Sequence, residues 1–366
     1  MTQVSGVQSG PKDSQLLSIQ YVRAIAATSV VWWHTVQQSV LGNCAVSKIG
    51  HFGDFGVDLF FVVSGFVMVF VTNKRETSPL DFMAMRVIRV APIYWIYTLA
   101  AAATLWLLPA LFTSNELSWR HLLLSLAFIP HALAKYPDQA SPMVKIGWTL
   151  NEEMFFYVLF ALAMFVSYRR RVALIGTVLA VLVAVGLLGL GGSSAAGKFY
   201  TNDILLEFMF GMGIALLPRE VAKDLKTWAI VTLIFLAIAV LILDSFHENW
   251  LRGLVRGVPA AVVVWGLLSL EQRKPLWRNG LLLELGNASY SIYLFQLYPI
   301  SVFRSLAHHA GVASCRPVPV TGFVIACVTS ALAGGVLSYR FIEKPILKFL
   351  HQAFGSLRPR LRPRTT

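Results

Sequence analysis

The chain has 366 residues, of which 56% are hydrophobic and only 13% charged, with a mean hydropathy of +0.65 and a formal net charge of +13. Charged residues make up about 25% of an ordinary soluble domain, so this composition excludes a soluble enzyme or binding module and indicates an all-α polytopic membrane protein. The positive charge is spread over the segments between apolar stretches, which argues against nucleic-acid binding.

In chain order, residues 1–16 form a polar N-terminal segment, expected to be cytoplasmic. The apolar run after it is too long for a signal-peptide core and carries no cleavage pattern, so no signal peptide is expected. At about twenty residues per crossing, the sequence predicts ten spans. They cover 17–41, 54–73, 91–112, 148–167, 172–191, 201–218, 227–244, 252–270, 283–303 and 320–339. His121–Pro130 is apolar but too short to cross and reads as a re-entrant or interfacial piece. Residues 17–345 make one transmembrane domain, with a basic tail at 346–366. With the N-terminus inside, 22 of the 31 lysines and arginines fall in inner segments, so both termini are expected in the cytoplasm. The tail suits anionic lipid.

Ionisable groups inside such spans mark functional positions. Arg23 and His34 lie eleven residues apart in the first span, on one helical face and about 16 Å apart along the axis. His34, Asp58, Glu153, Asp203, Glu207 and Gln296, from five spans, are all expected in the outer half of the bilayer, in roughly one layer. On the inner side, Arg86 and Arg89 sit i, i+3 on a short helix before Pro92. With Arg23 they would give a cluster of guanidinium forks suited to phosphate, and a coenzyme A arm is about as long as the Arg23–His34 spacing.

Several motifs then run in order along the chain. They are Tyr21-Val22-Arg23 through His34, Phe55-Gly56-Val57-Asp58-Leu59-Phe60-Phe61-Val62-Val63-Ser64-Gly65-Phe66, and Arg86-Val87-Ile88-Arg89 before Pro92. Trp148-Thr149-Leu150-Asn151-Glu152-Glu153-Met154-Phe155-Phe156-Tyr157, Glu207-Phe208 before Gly211, Leu285 to Leu294, and Phe341-Ile342-Glu343-Lys344-Pro345 follow. Together they resemble the membrane-bound acyltransferase-three family, which includes bacterial exopolysaccharide and lipopolysaccharide O-acetyltransferases; the tryptophan motif looks most like the exopolysaccharide subgroup. The resemblance implies transfer of an acyl group, usually acetyl from acetyl-coenzyme A on the cytoplasmic side, to a sugar hydroxyl. It implies a catalytic His34, donor-binding Arg23, Arg86 and Arg89, and a functional Glu153. Two positions depart from the family pattern: Glu152 stands where an apolar residue is usual, and Gln296 where many members carry histidine.

A sugar hydroxyl attacking a thioester needs a general base, and histidine suits that role near neutral pH. His34 would act as that base or accept the acyl group itself, with Asp58 or Glu153 orienting the imidazole. The backbone around Ser64-Gly65, or a nearby tyrosine or amide, is a candidate donor to the thioester oxyanion, although Ser64-Gly65 reads more readily as close helix packing. Cys44 and Cys315 fall in outward loops where a disulfide could form, whereas Cys327 reads as a small apolar residue; no metal-ligand spacing occurs. The expected setting is a bacterial inner membrane, with membrane lipid, a carbohydrate acceptor and polysaccharide-assembly proteins as partners. Two other readings stand beside the enzyme: a proton-coupled transporter, and a non-catalytic subunit of an export assembly.

Overall fold

A computed structural model describes residues 16–37, 52–74, 77–107, 117–137, 139–218, 221, 223–244, 251–309 and 317–356. Among these the regular structure is helical, with one isolated bridge between Leu133 and Tyr136. Six helical segments are long and apolar enough to cross a membrane: Gly56–Asn73, Pro79–Leu107, Tyr168–Leu187, Thr227–Asp244, Arg252–Arg273 and Val320–Ser356. This is a multi-pass helical membrane protein. The expected Cys44–Cys315 disulfide and the tail arginines lie outside the described residues.

Helices also occupy the other four predicted spans, but these are shorter or more polar. They are α1 (Leu17–Val36), α5 (Trp148–Ala163), α8 (Leu205–Leu216) and α12 (Gly280–Phe295). They carry Arg23 and His34, Glu152 and Glu153, Glu207, and Ser289 and Ser291. The faces that bear these groups pack inward, while apolar residues such as Ile25, Val158 and Leu162 face outward. The apolar helices are α2 (Gly56–Lys74), α3 (Pro79–Leu107), α6 (Tyr168–Leu187), α9 (Thr227–Asp244), α11 (Gly257–Arg273) and α14 (Pro317–Ser338). Short helices α4 (Trp119–Leu126), α7 (Ala195–Tyr200) and α10 (Arg252–Val255) lie between them.

Two expected boundaries moved. Helix α3 runs unbroken through Pro92, so Arg86 and Arg89 share a helix with the third span rather than preceding it. A bilayer penalises unsatisfied backbone enough to keep a proline-containing helix continuous. The predicted ninth span stops at Gln296, and α13 (Leu297–His309) begins anew. Pro299 explains the break, since its ring cannot follow the carbonyl of Phe295 in a regular helix.

Helix α1 is held at both ends of its polar face. Glu271 of α11 accepts from the backbone N–H of Leu17 (2.8 Å) and Ser18 (3.1 Å) and from Ser18 Oγ (2.5 Å), an N-terminal cap supplied by another helix. Alongside α12, the backbones nearly touch: a Cβ on Gly286 would fall 2.2 Å from the Gln20 carbonyl oxygen. The α2–α8 crossing is equally close, with glycines from both helices: a Cβ on Gly65 would lie 2.2 Å from the Phe208 oxygen, and one on Gly211 2.0 Å from the Val62 oxygen. The packing role read for Ser64-Gly65 accords with this contact. Phe82, Phe156, Phe160 and Phe208 fill the core between α2, α3, α5 and α8, with stacked pairs Phe82–Phe160 (5.2 Å) and Phe156–Phe208 (4.3 Å).

The segment read as interfacial forms α4 and a folded-back loop. Here His121 and His131 are both buried, with His121 Nδ1 2.6 Å from His131 Nε2. His131 Nδ1 lies 2.8 Å from the Ile129 carbonyl, which can only accept, so that nitrogen carries the proton. In the neutral ring His131 Nε2 therefore accepts from His121 Nδ1–H.

Candidate functional site

A cavity of about 250 Å³ opens between α1, α2, α3, α5 and α12. Arg23, Arg86, Arg89 and Glu153 all line it, so four of the six expected site residues meet at one place. Each is fixed by its neighbours. Arg23 Nε donates to Ser289 Oγ (3.2 Å). Arg86 rests over the rings of Phe82 (5.3 Å) and Tyr157 (5.8 Å), and its buried Nε has no hydrogen-bond partner among the described residues. Arg89 lies 5.6 Å over the Tyr290 ring and is ion-paired with Glu343; the Tyr290 hydroxyl donates to the Val90 carbonyl (2.6 Å). Glu153 Oε1 accepts from Ser64 Oγ (2.9 Å) and from the Tyr157 hydroxyl.

Three guanidinium groups thus face one cavity that a single carboxylate lines, and with Glu343 paired to Arg89 positive charge is still in excess. Stacked guanidinium planes keep their edge N–H groups directed outward, an arrangement suited to an anion with several oxygens. The neighbouring carboxylates divide cleanly: Glu153 faces the cavity, whereas Glu152, 1% exposed, turns toward Tyr200. Successive helical residues point about 100° apart, so they serve different faces.

His34 does not line the cavity. Its Nδ1 donates to the Val30 carbonyl (3.0 Å), which leaves Nε2 as the basic atom of the neutral ring. Its neighbours are Gln296, from the break between α12 and α13, and Lys145. The cavity reaches the same region from below. Tyr293 lines it, packs edge-on to Phe60 (6.0 Å), and bonds Thr149 (2.9 Å) and the Ile146 carbonyl (3.1 Å). Tyr293 is three residues from Gln296, and Ile146 is next to Lys145. Phe60 and Tyr293 line the cavity with the arginines, and Tyr293 shares the end of α12 with Gln296, the neighbour of His34.

Asp58 is placed elsewhere. Fully buried, it accepts a two-pronged contact from Arg252 (Nε 3.3 Å, Nη2 3.2 Å), beside Glu207. Asp203 accepts from the Gly253 N–H (2.7 Å), and Arg256 joins Asp244 (2.6 Å) and Asp54. The single expected layer therefore separates into three groups: His34 with Gln296, Glu153 with the arginines, and Asp58, Asp203 and Glu207 with Arg252. Arg252 and Arg256 were missing from the sequence reading of the site. Their i, i+4 spacing at the start of a span, beside three unpaired acids, was the available signal. Glu343, Tyr157 and Ser289 were missed as partners because nothing in sequence separation predicts those contacts.

A model of the acyltransferase-three family, described as an acyltransferase domain, matches residues 16–340. The chain is similar to the exopolysaccharide production protein ExoZ of Rhizobium meliloti, 33% identical over 316 residues, covering 83% of this chain and 93% of that one. It is also similar to the putative peptidoglycan O-acetyltransferase YrhL of Bacillus subtilis (26%, 89% of this chain) and to the O-acetyltransferase OatA of Staphylococcus aureus (25%, 92% of this chain). The chain spans 54% and 58% of the lengths of those two. No solved structure matches. With the family model covering nearly its whole length, this chain belongs to the acyltransferase-three family of membrane acyltransferases.

Proposed function

We propose that this protein is an O-acetyltransferase that moves an acetyl group from acetyl-coenzyme A to a sugar hydroxyl of an exopolysaccharide or its lipid-linked precursor, in a bacterial inner membrane. The observation that carries this reading is the convergence of Arg23, Arg86 and Arg89 on one cavity. Phosphates of the donor bind the guanidinium groups from the cytoplasmic side. The pantetheine arm, about as long as the 16 Å between Arg23 and His34, extends past Phe60 and Tyr293. The similarity to ExoZ supports an exopolysaccharide acceptor, and the O-acetyltransferase names of YrhL and OatA support the bond formed.

In the reaction the sugar oxygen attacks the thioester carbonyl. His34 Nε2 takes the hydroxyl proton, the C–S bond breaks, and the imidazolium returns its proton to the departing thiolate, so an ester and a free thiol are formed. Val30 holds Nδ1 protonated throughout, which fixes the tautomer that presents Nε2 as base. Glu153, tied by Ser64 and Tyr157, sets the arginine field at the donor end. We read Asp58 as a structural partner of Arg252 rather than as the group orienting His34.

The test is transfer of radiolabel from acetyl-coenzyme A to a lipid-linked oligosaccharide extract by the reconstituted chain, with His34→Ala alongside. Label in the sugar fraction with wild type alone is expected. Absence of both transfer and coenzyme A binding would overturn the reading.

A further inference from the structure

The motif Phe341-Ile342-Glu343-Lys344-Pro345 reads from sequence as the end of the last span, and ending a helix needs no buried charge. Yet Glu343 is fully buried while Phe341 is 74% exposed two residues away. The backbone explains how. Residues Tyr339–Glu343 form a π-helical turn between α14 and α15 (Lys344–Ser356), which shifts the register of everything after it. Such one-turn insertions recur at functional positions. Here the turn delivers one carboxylate to two distant helices. Oε1 accepts from Arg89 of α3, and Oε2 accepts from Ser291 Oγ of α12 at 2.6 Å.

A buried carboxylate is costly unless it is paired and hydrogen-bonded, and here both partners come from helices that line the arginine cavity. Arg89 is the cavity arginine with a carboxylate partner, whereas Arg23 bonds a hydroxyl and Arg86 rests on rings. Arg23 and Arg89 repel each other, and Glu343 attracts Arg23 as well. With one N–H held by Glu343 and its plane held against Tyr290, the Arg89 fork has a fixed direction, and the others of its five donors are left for an anion.

We propose that Glu343 is a positioning residue of the donor site: it orients Arg89 and screens the repulsion between Arg89 and Arg23, so that both face the cavity before a phosphorylated donor arrives. The inference rests on the donor reading of the arginine cavity. It deepens that reading by placing part of donor recognition in the turn that follows the last span.

The experiment measures KM for acetyl-coenzyme A, KM for the acceptor, and kcat with the full-length chain in four forms: wild type, Glu343→Gln, Arg89→Gln and the double variant. Glu343→Gln is expected to raise donor KM by about tenfold, the loss associated with one charge-assisted contact, with kcat within about threefold and acceptor KM unchanged. Because Glu343 acts through Arg89, the double variant is expected to be no worse than Arg89→Gln alone. Ser291→Ala, which keeps the ion pair and removes one support of Glu343, is expected to raise donor KM by about threefold, and it decides the matter if Glu343→Gln fails to accumulate. Effects that multiply in the double variant, or an unchanged donor KM in Glu343→Gln and Ser291→Ala beside an active wild type, would overturn this proposal alone. A wild-type chain that neither binds coenzyme A nor uses its acetyl ester would remove the donor reading and this proposal together.

Discussion

Replacing Gly211 by alanine tests whether the α2–α8 contact sets the geometry of the cavity. The new Cβ would stand 2.0 Å from the Val62 carbonyl oxygen and 2.8 Å from the Phe66 nitrogen, where real Cβ atoms essentially never come within 3.0 Å. The obstacle is backbone, so no side chain can swing aside, and α2 must move by about 1 Å. Overpacking of this kind costs about 1–3 kcal/mol. The displaced segment of α2 contains Ser64, whose hydroxyl holds Glu153 at 2.9 Å; a 1 Å shift stretches that bond past hydrogen-bonding distance. A misplacement of that size at a reacting site lowers the rate by about 100-fold. The control is Gly213→Ala on the same helix, where nothing lies within 4 Å of the added methyl and the outcome should match or slightly exceed wild-type stability. Thermal unfolding in detergent and the initial rate of acetyl transfer are the two assays. If Gly211→Ala matches Gly213→Ala in both, the backbone contact does not position the site.

Four further outcomes are expected. His34→Asn should fold as wild type, bind coenzyme A, and lose transfer by about 100-fold or more; wild-type turnover would remove the histidine from the chemistry. Glu153→Gln, which keeps a group able to meet Ser64 and Tyr157, should lower transfer about tenfold by changing the charge beside the arginines, and initial rates equal to wild type would show that its charge is idle. Arg252→Met leaves Asp58 with no countercharge beside Glu207, and should cost about 3–5 kcal/mol on denaturant or thermal unfolding. Acid should loosen the loop after α4. Burial, then the neighbouring His131, lowers His121 to about 4; burial also lowers His131, which faces Arg120. The unfolded chain therefore takes up protons below its ordinary histidine range while the fold excludes them, and stability falls as pH drops from about 6.5 toward 4. Tryptic cleavage after exposed Lys135 should accelerate over that window, and His121→Gln should flatten the dependence.

Much of the site was legible because charge in an apolar span has few explanations. Arg23, Arg86, Arg89 and Glu153 stand out as polar letters at helical spacing, and all four line the cavity. Depth alone did not show the partner of Asp58: residues at one height in the bilayer can belong to different faces, and Asp58 meets Arg252. Hydropathy placed some of the apolar helices closely, as with Thr227–Asp244, but missed the start of Pro79–Leu107. It misjudged Pro92 and Pro299 in opposite senses. A proline interrupts a span only where the helix can tolerate an unsatisfied carbonyl, and that depends on packing that sequence does not display. The π turn that buries Glu343 was likewise invisible, since one extra residue in a turn leaves no compositional trace.

The cap on α1 bears on how the chain is made. Helix α1 leaves the ribosome long before Glu271, which satisfies its first backbone N–H groups and follows 254 residues after Leu17. Ser289, the partner of Arg23, comes 266 residues after it. Until those residues are made, α1 carries an arginine without that partner, and the arginine-lined cavity is complete only once α12 docks. A chain arrested before residue 271 should therefore leave α1 accessible to protease or extractable by alkali, because the contacts it lacks come from α11 and α12.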